Sequence, residues 1–230
     1  MISDQGRAVR EMFGSIAARY DLLNHVLSGN VDRRWRRACA AEVLKRIAAG
    51  RPRILDVGCG TADLALAFAG AGTVVGCDFC HPMLLVGKKK AGSAAVALAE
   101  ADALILPFPD ATFDAVVSAF VVRNLADLDA GLVEMARVLR PGAVLGVLDF
   151  AMPEAALFGA AYRFYFTRVL PAVGRFVSGV DGPYRYLPES VRAFPRPPVL
   201  RDRIVAAGFA RAEYRLLTRG IAALYTAIRE

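Results

Sequence analysis

Residues 53–63 read RILDVGCGTAD, and ADLALAFAG continues from Ala62. A short apolar run closed by glycines and followed by a longer apolar segment reads as strand, tight turn and helix. Gly58 and Gly60 accept positive φ without a Cβ penalty and let a ligand approach the backbone closely. The helix that follows offers free N–H groups and the positive end of its dipole. Such a turn suits a pyrophosphate or the carboxylate of a methionine moiety.

Working outward, the same alternation repeats. TVVGCDF (73–79) is a second strand carrying Asp78 at its end, and PMLLVGKKK (82–90) is a helix with Pro82 in its first turn. VALAEAD (96–102) is a third strand that ends at Asp102. FDAVVSAF (113–120) is a fourth and AVLGVLDF (143–150) a fifth, with the helix DAGLVEMARVL (129–139) between them, closed by Pro141-Gly142. Strands alternating with helices imply a parallel sheet with right-handed crossovers. RDRIVAAGF (201–209) is a helix capped by Gly208. ARAEYRLLT and GIAALYTAI then form a hairpin pivoting on Arg219-Gly220. The expectation is an α/β, Rossmann-like, mostly parallel seven-stranded sheet with a C-terminal antiparallel hairpin.

Ahead of the first strand, residues 7–20 place Val9, Met12, Phe13, Ile16, Ala17 and Tyr20 at helical spacing. A second helix runs from about Asp32 to Ala48, with Trp35, Val43, Leu44 and Ile47 facing inward. These helices form an N-terminal cap. The division is then one domain: cap 1–50, cofactor-binding core 51–150, a substrate-covering insertion 151–195, and a final helix and hairpin 196–230.

The chain has 230 residues, 56% of them hydrophobic, enough for a substantial core. No uncharged apolar run reaches membrane-spanning length, and charges interrupt the N-terminus where a signal peptide would be apolar. A cytoplasmic protein is expected. The net charge of +7 suits an anionic membrane surface. The arginines form no long basic run and no recognition module, so no nucleic acid partner is expected. Cys39, Cys59, Cys77 and Cys80 read as small apolar filler, and no His/Cys/carboxylate cluster offers a metal site.

Asp78 lies about twenty residues after the glycine turn, where a carboxylate accepts both ribose hydroxyl hydrogens. That would serve NAD or S-adenosylmethionine equally. Asp63 separates them. It stands where the dinucleotide fingerprint requires a third Gly or Ala beside a pyrophosphate. A carboxylate there repels phosphate and favours the ammonium or sulfonium of S-adenosylmethionine.

The succession of glycine turn, Asp78, Asp102-Ala103, LPFPDATFDAVVS and RVLRPGAVLGVLDF resembles the class I S-adenosylmethionine methyltransferases. That resemblance implies that Thr61, Asp78, Asp102, Ala103 and Ser118 line the cofactor with Gly58 and Gly60. The flanks are more specific. VREMFGSIAARYDLLNHVLSGNVDRRWRR, SAFVVRNLADLDAGLVEMARVLRPG and YRYLPESVRAFP resemble the UbiE/MenG family, the C-methyltransferases of ubiquinone and menaquinone biosynthesis. The chain departs from that family at Asp149, usually Glu, and at Tyr225, often His.

The resemblance implies a polyprenyl quinol substrate, demethylmenaquinol before its benzoquinol counterpart, with peripheral membrane contact. Another small-molecule methyltransferase and a non-catalytic cofactor-binding subunit are the alternatives, and a homodimer is left open. A quinol ring carbon becomes nucleophilic once a neighbouring hydroxyl loses its proton. The candidate catalytic residues are Tyr20, Arg123 and Asn124. Arg123 would stabilise the developing phenolate while a water takes the proton, Asn124 would orient a quinol oxygen, and Tyr20 would close over the ring. The bland alternative is an Arg salt bridge, an Asn turn and a packed Tyr. Residues 155–180, rich in aromatics with Arg163, Arg168 and Arg175, would cover the prenyl tail.

Overall fold

The computed structural model describes residues 4–48, 50–172 and 182–230. Arg175 and the side chains of His25, Tyr184 and Arg185 lie outside the described residues. The core strands are β1 (Arg53–Val57), β2 (Thr73–Asp78), β3 (Val96–Glu100), β4 (Phe113–Ala119) and β5 (Leu139–Phe150). The hairpin is β6 (Phe209–Leu217) and β7 (Ala222–Arg229). They form one seven-stranded sheet in the order β3-β2-β1-β4-β5-β7-β6. The first five pair in parallel, while β7 runs antiparallel between β5 and β6. The β1-to-β3 crossovers lead one way from the centre and the β4-to-β5 crossover leads the other. The crevice therefore opens at the carboxyl ends of β1 and β4.

The helices are α1 (Asp4–Ile16), α2 (Tyr20–Ser28), α3 (Val31–Arg46), α4 (Asp63–Ala67), α5 (His81–Ala91), α6 (Leu128–Val138), α7 (Ala156–Phe164), α8 (Gly182–Ala193) and α9 (Pro197–Ala206). One face of the sheet packs Leu132 and Met135 of α6 and Leu200 and Ile204 of α9 against Leu55, Val116 and Leu145. The other packs Trp35, Cys39 and Val43 of α3 and Leu64 and Phe68 against Ile54, Val74 and Val117. Burial on both faces explains why the strands read as continuous apolar runs. Gly146 permits the close approach of α3, because a Cβ there would sit 2.5 Å from Val43 Cγ2.

Four local expectations need correction. Residues 7–20 are not one helix: α1 ends at Ile16, a 3₁₀ turn spans Ala17–Arg19, and α2 starts at Tyr20. Gly14 and Ser15, weak helix formers, stand in the last turn of α1. At the break Ala17 is buried against Cys80 and Met83. Leu44 is exposed, because α3 meets the sheet through Trp35, Cys39 and Val43 at four-residue spacing and Leu44 lies about 100° further round. The helix after the glycine turn has only five residues, so its dipole contributes less than the sequence suggests. Finally, β5 begins at Leu139, ahead of Pro141-Gly142. Pairing shifts between Phe113↔Leu139 and Ala115↔Val144, and this irregularity accommodates a proline that cannot donate.

Candidate active site

A cavity of about 190 Å³ opens at the carboxyl ends of β1, β2 and β4. Gly58, Gly60, Thr61, Asp78, Asp102 and Ala103 all line it. Gly58 has φ +69°, and a Cβ on it would meet Val121 Cγ1 at 2.4 Å. Asp78 is held at both oxygens: Oδ2 accepts the Gly60 N–H and Oδ1 the Cys80 N–H, each at 2.8 Å. Burial pushes its carboxyl up to about 6. Asp102 Oδ1 accepts the Leu104 N–H at 3.0 Å, which shapes the loop beyond β3. Thr61 Oγ1 donates to Asp21 Oδ1 at 2.5 Å, and Lys90 Nζ bonds Asp21 Oδ2 at 2.7 Å. The same Lys90 pairs with Asp63. These contacts tie α2 to the glycine turn.

A second cavity of about 570 Å³ lies beside the first. Its wall is mostly aromatic and aliphatic, including Trp35, Phe150, Phe158, Tyr162, Tyr165 and Phe166. Tyr165–Val169 form a π-helical turn that continues α7, an irregularity frequent at functional sites. Phe13, Tyr20, Arg36 and Phe120 line both cavities. Phe120 adopts φ +64°, a left-handed conformation uncommon for a bulky residue. The strain places its ring between the cavities, 4.7 Å from the Phe150 ring and under the Arg36 guanidinium.

The three candidate catalytic residues gather at this junction. Burial raises the Tyr20 phenol, with Arg36 the main opposing influence, so it stays protonated. Arg123 lines the larger cavity and Asn124 the smaller. Arg123 Nη1 donates to Asp149 Oδ1 at 2.7 Å in a buried ion pair, as the bland alternative anticipated, and the guanidinium lies 5.2 Å from the Phe150 ring centre. Its buried Nε has no hydrogen-bond partner. Asn124 Oδ1 accepts the Tyr186 hydroxyl hydrogen at 3.1 Å.

A demethylmenaquinone methyltransferase of Deinococcus radiodurans is 52% identical over 227 residues, covering 96% of this chain and 92% of its own length. One of Thermus thermophilus is 50% identical, covering 95% of this chain and all of its own. Among solved structures, an S-adenosylmethionine-dependent methyltransferase of Thermotoga maritima superposes with a TM-score of 0.65 at 16% identity, covering 96% of this chain and 99% of its own. That likeness speaks to the fold. The ubiE/COQ5 methyltransferase family matches residues 1–229. The chain belongs to this family.

As a ubiE/COQ5 member the protein is an S-adenosylmethionine-dependent methyltransferase. The smaller cavity fits that cofactor: its wall carries Asp56, Asp63, Asp78 and Asp102 within a protein of net positive charge. Ser118 does not line it. That side chain is fully buried and donates to the Val57 carbonyl at 2.8 Å, bonding β4 to β1. Side chains alternate along a strand, so Ala119 lines the cavity instead.

Sequence reasoning missed Asp56, Arg36, Phe120 and Asp149. Asp56 is 1% exposed and lines the cavity, and neither carboxylate oxygen has a hydrogen-bond partner. Burial pushes it up to about 8. The nearby Ala65 N–H lowers it without meeting hydrogen-bond geometry. An acid inside the apolar run ILDV was its signal. Asp149 was noted only as a departure from Glu, and burial raises its carboxyl against the pull of Arg123. His81 is exposed and pairs with Glu100 at 3.0 Å, away from the junction. Burial raises the thiols of all four cysteines, Cys39 to about 12, which keeps them protonated and inert.

Proposed function

We propose that this methyltransferase adds a methyl group to a ring carbon of a polyprenyl quinol, with demethylmenaquinol as the substrate. The observation that carries this reading is the pair of cavities sharing one wall, acid-lined on one side and aromatic on the other. The relatives named demethylmenaquinone methyltransferase, at 52% and 50% identity, point the same way. The cofactor supplies an electrophilic methyl group on a sulfonium. The protein aligns the ring carbon with it and excludes water. Asp78 takes the ribose hydroxyls, and Asp102 with Ala103 faces the adenine. The aromatic wall stacks on the quinol ring. The unpaired Nε–H of Arg123 offers a hydrogen bond to the oxygen that becomes phenolate, and Asp149 holds the guanidinium in place. Asn124, oriented by Tyr186, positions a quinol oxygen. Tyr20 relays the hydroxyl proton toward bound water.

The prenyl tail runs along α7 and the π-helical turn, through Tyr162, Tyr165 and Phe166. The outer surface of the same segment exposes Leu157, Phe164 and Val169 beside Arg163 and Arg168. No helix among the described residues is long and apolar enough to cross a membrane. The enzyme therefore works as a peripheral protein on the membrane face, drawing its substrate from the lipid. The test is to supply labelled S-adenosylmethionine with demethylmenaquinol and with the corresponding demethyl benzoquinol. Ring methylation of the first, at a kcat/KM above the second, is expected. Label appearing in neither overturns the reading, and a preference for the benzoquinol reassigns the substrate.

A further inference from the structure

S-adenosylmethionine carries a carboxylate at its methionine end, and four aspartates line the cavity that takes it. A ligand carboxylate among Asp56, Asp63, Asp78 and Asp102 needs a counter-charge. Among the described lining residues there is one cation, Arg36. We propose that Arg36 anchors the α-carboxylate of S-adenosylmethionine, leaving the ammonium to Asp56.

The geometry prepares Arg36 for that role. Trp35 and Cys39 bury the inner face of α3 against the sheet, which leaves Arg36 at the junction with its side chain 8% exposed. Nη1 donates to Asp32 Oδ2 at 2.5 Å, one turn earlier on α3. The Phe120 ring covers one face of the guanidinium, 5.1 Å from its carbon. Nη2 lies 4.0 Å from Asp63 Oδ2, beyond hydrogen-bond reach. Asp63 is itself engaged by Lys90, so it competes weakly for the arginine. One edge of the fork is thus fixed, one face is covered, and the Nη2 donors remain for a ligand. Nη2 presents its N–H donors in a fixed plane to a carboxylate, which a freely rotating ammonium does not. Asp56 complements it: a buried carboxylate without partners is suited to an incoming ammonium.

The inference rests on the cofactor and not on the quinol, so it stands or falls separately from the substrate assignment. The experiment compares S-adenosylmethionine with its decarboxylated form, which keeps the amine and the sulfonium. Calorimetric affinities are measured for the wild type, Arg36→Gln and Arg36→Lys. The wild type is expected to prefer the intact cofactor by about 10- to 100-fold, the range of a charge-assisted hydrogen bond. Arg36→Gln should lose most of that preference by weakening only the intact cofactor, and Arg36→Lys should fall between. Removing Arg36 takes a cation away from the buried Asp32 carboxylate, so Asp32→Asn/Arg36→Gln is measured in parallel as a neutral pair. The proposal is overturned if the wild type binds both ligands equally. It is also overturned if the folded variants weaken both by the same factor, the signature of a structural arginine.

Discussion

Asp56 and Arg123 are both buried ionisable groups with side-chain atoms left unpartnered in the ligand-free protein, and each has a measurable consequence. The Asp56 carboxyl titrates at about 8 in the fold, because burial penalises its ionised form, against about 3.9 in an unfolded chain. A folded value above the unfolded one favours the fold at low pH. That contribution is lost as pH rises from about 4 through about 8. Asp56→Asn is therefore expected to raise the Tm of the ligand-free enzyme at pH 8, to raise it less at pH 5, and to weaken cofactor binding. A Tm gain of the same size at both pH values would contradict this account. At Arg123 the expectation is kinetic. Arg123→Lys keeps the charge and loses the Nε–H, so kcat should fall about 10²- to 10³-fold while cofactor affinity stays close to wild type. Wild-type turnover in both Arg123→Lys and Tyr20→Phe would remove this mechanism. Asp78→Ala should weaken S-adenosylmethionine by about 1.5–3 kcal/mol; unchanged affinity in a folded variant would exclude Asp78 from the ribose site.

Two elements connect these residues to the reaction. The 3₁₀ break before α2 turns Tyr20 onto the junction, and the bonds from Thr61 and Lys90 to Asp21 hold α2 against the glycine turn. A partly exposed ion pair such as Lys90–Asp21 contributes little, about 0–1 kcal/mol. Packing of Ala17 against Cys80 and Met83 therefore carries more of the cap's placement. On the opposite side, α7 and its π-helical turn present two different faces. Tyr162 and Phe166 look into the larger cavity, while Leu157 is 87% exposed and Phe164 65%. Apolar side chains beside arginines suit the interface of an anionic bilayer. Flotation with phosphatidylglycerol-containing liposomes at low salt is expected to carry the protein upward, and Leu157→Ser/Phe164→Ser to leave it at the bottom. Wild-type protein that stays down at low salt would rule out the membrane contact.

At the scale of the molecule, cofactor bound in the acid-lined cavity as proposed is expected to couple to protons. Asp56 is held up at about 8 and Asp78 at about 6 by burial, so near neutral pH Asp56 is largely protonated in the ligand-free enzyme. An ammonium beside Asp56 and ribose hydroxyls donating to Asp78 both favour the ionised forms. Cofactor binding should release protons at pH 7 and tighten as pH rises toward 8. Calorimetry in buffers of different ionisation enthalpy measures the release directly; a binding enthalpy independent of buffer would show that these acids do not titrate with the cofactor. For the proposed membrane contact, the net charge of +7 predicts that salt weakens liposome binding.

The alternation of strand and helix, the glycine turn and the acids that end β2 and follow β3 were legible in the sequence, because period and turn chemistry are local properties of the chain. Asp78 at the end of β2 stood where the sequence reading put it, while Asp102 lies two residues past β3, which ends at Glu100. The flanking motifs carried the family. Tertiary structure alone decided which side chains meet. Pairing register and strand alternation turned Ser118 into the sheet and Ala119 into the cavity. Ala17, just past the end of α1, packs against Cys80 beside the start of α5, a contact between distant segments. The pairing of Arg123 with Asp149 spans 26 positions, and Trp35 reaches Thr218 across 183. Arg36 gave no local signal among so many arginines. Its burial at the junction of two cavities follows from how α3 packs on the sheet, a relation between distant segments that no window of sequence contains.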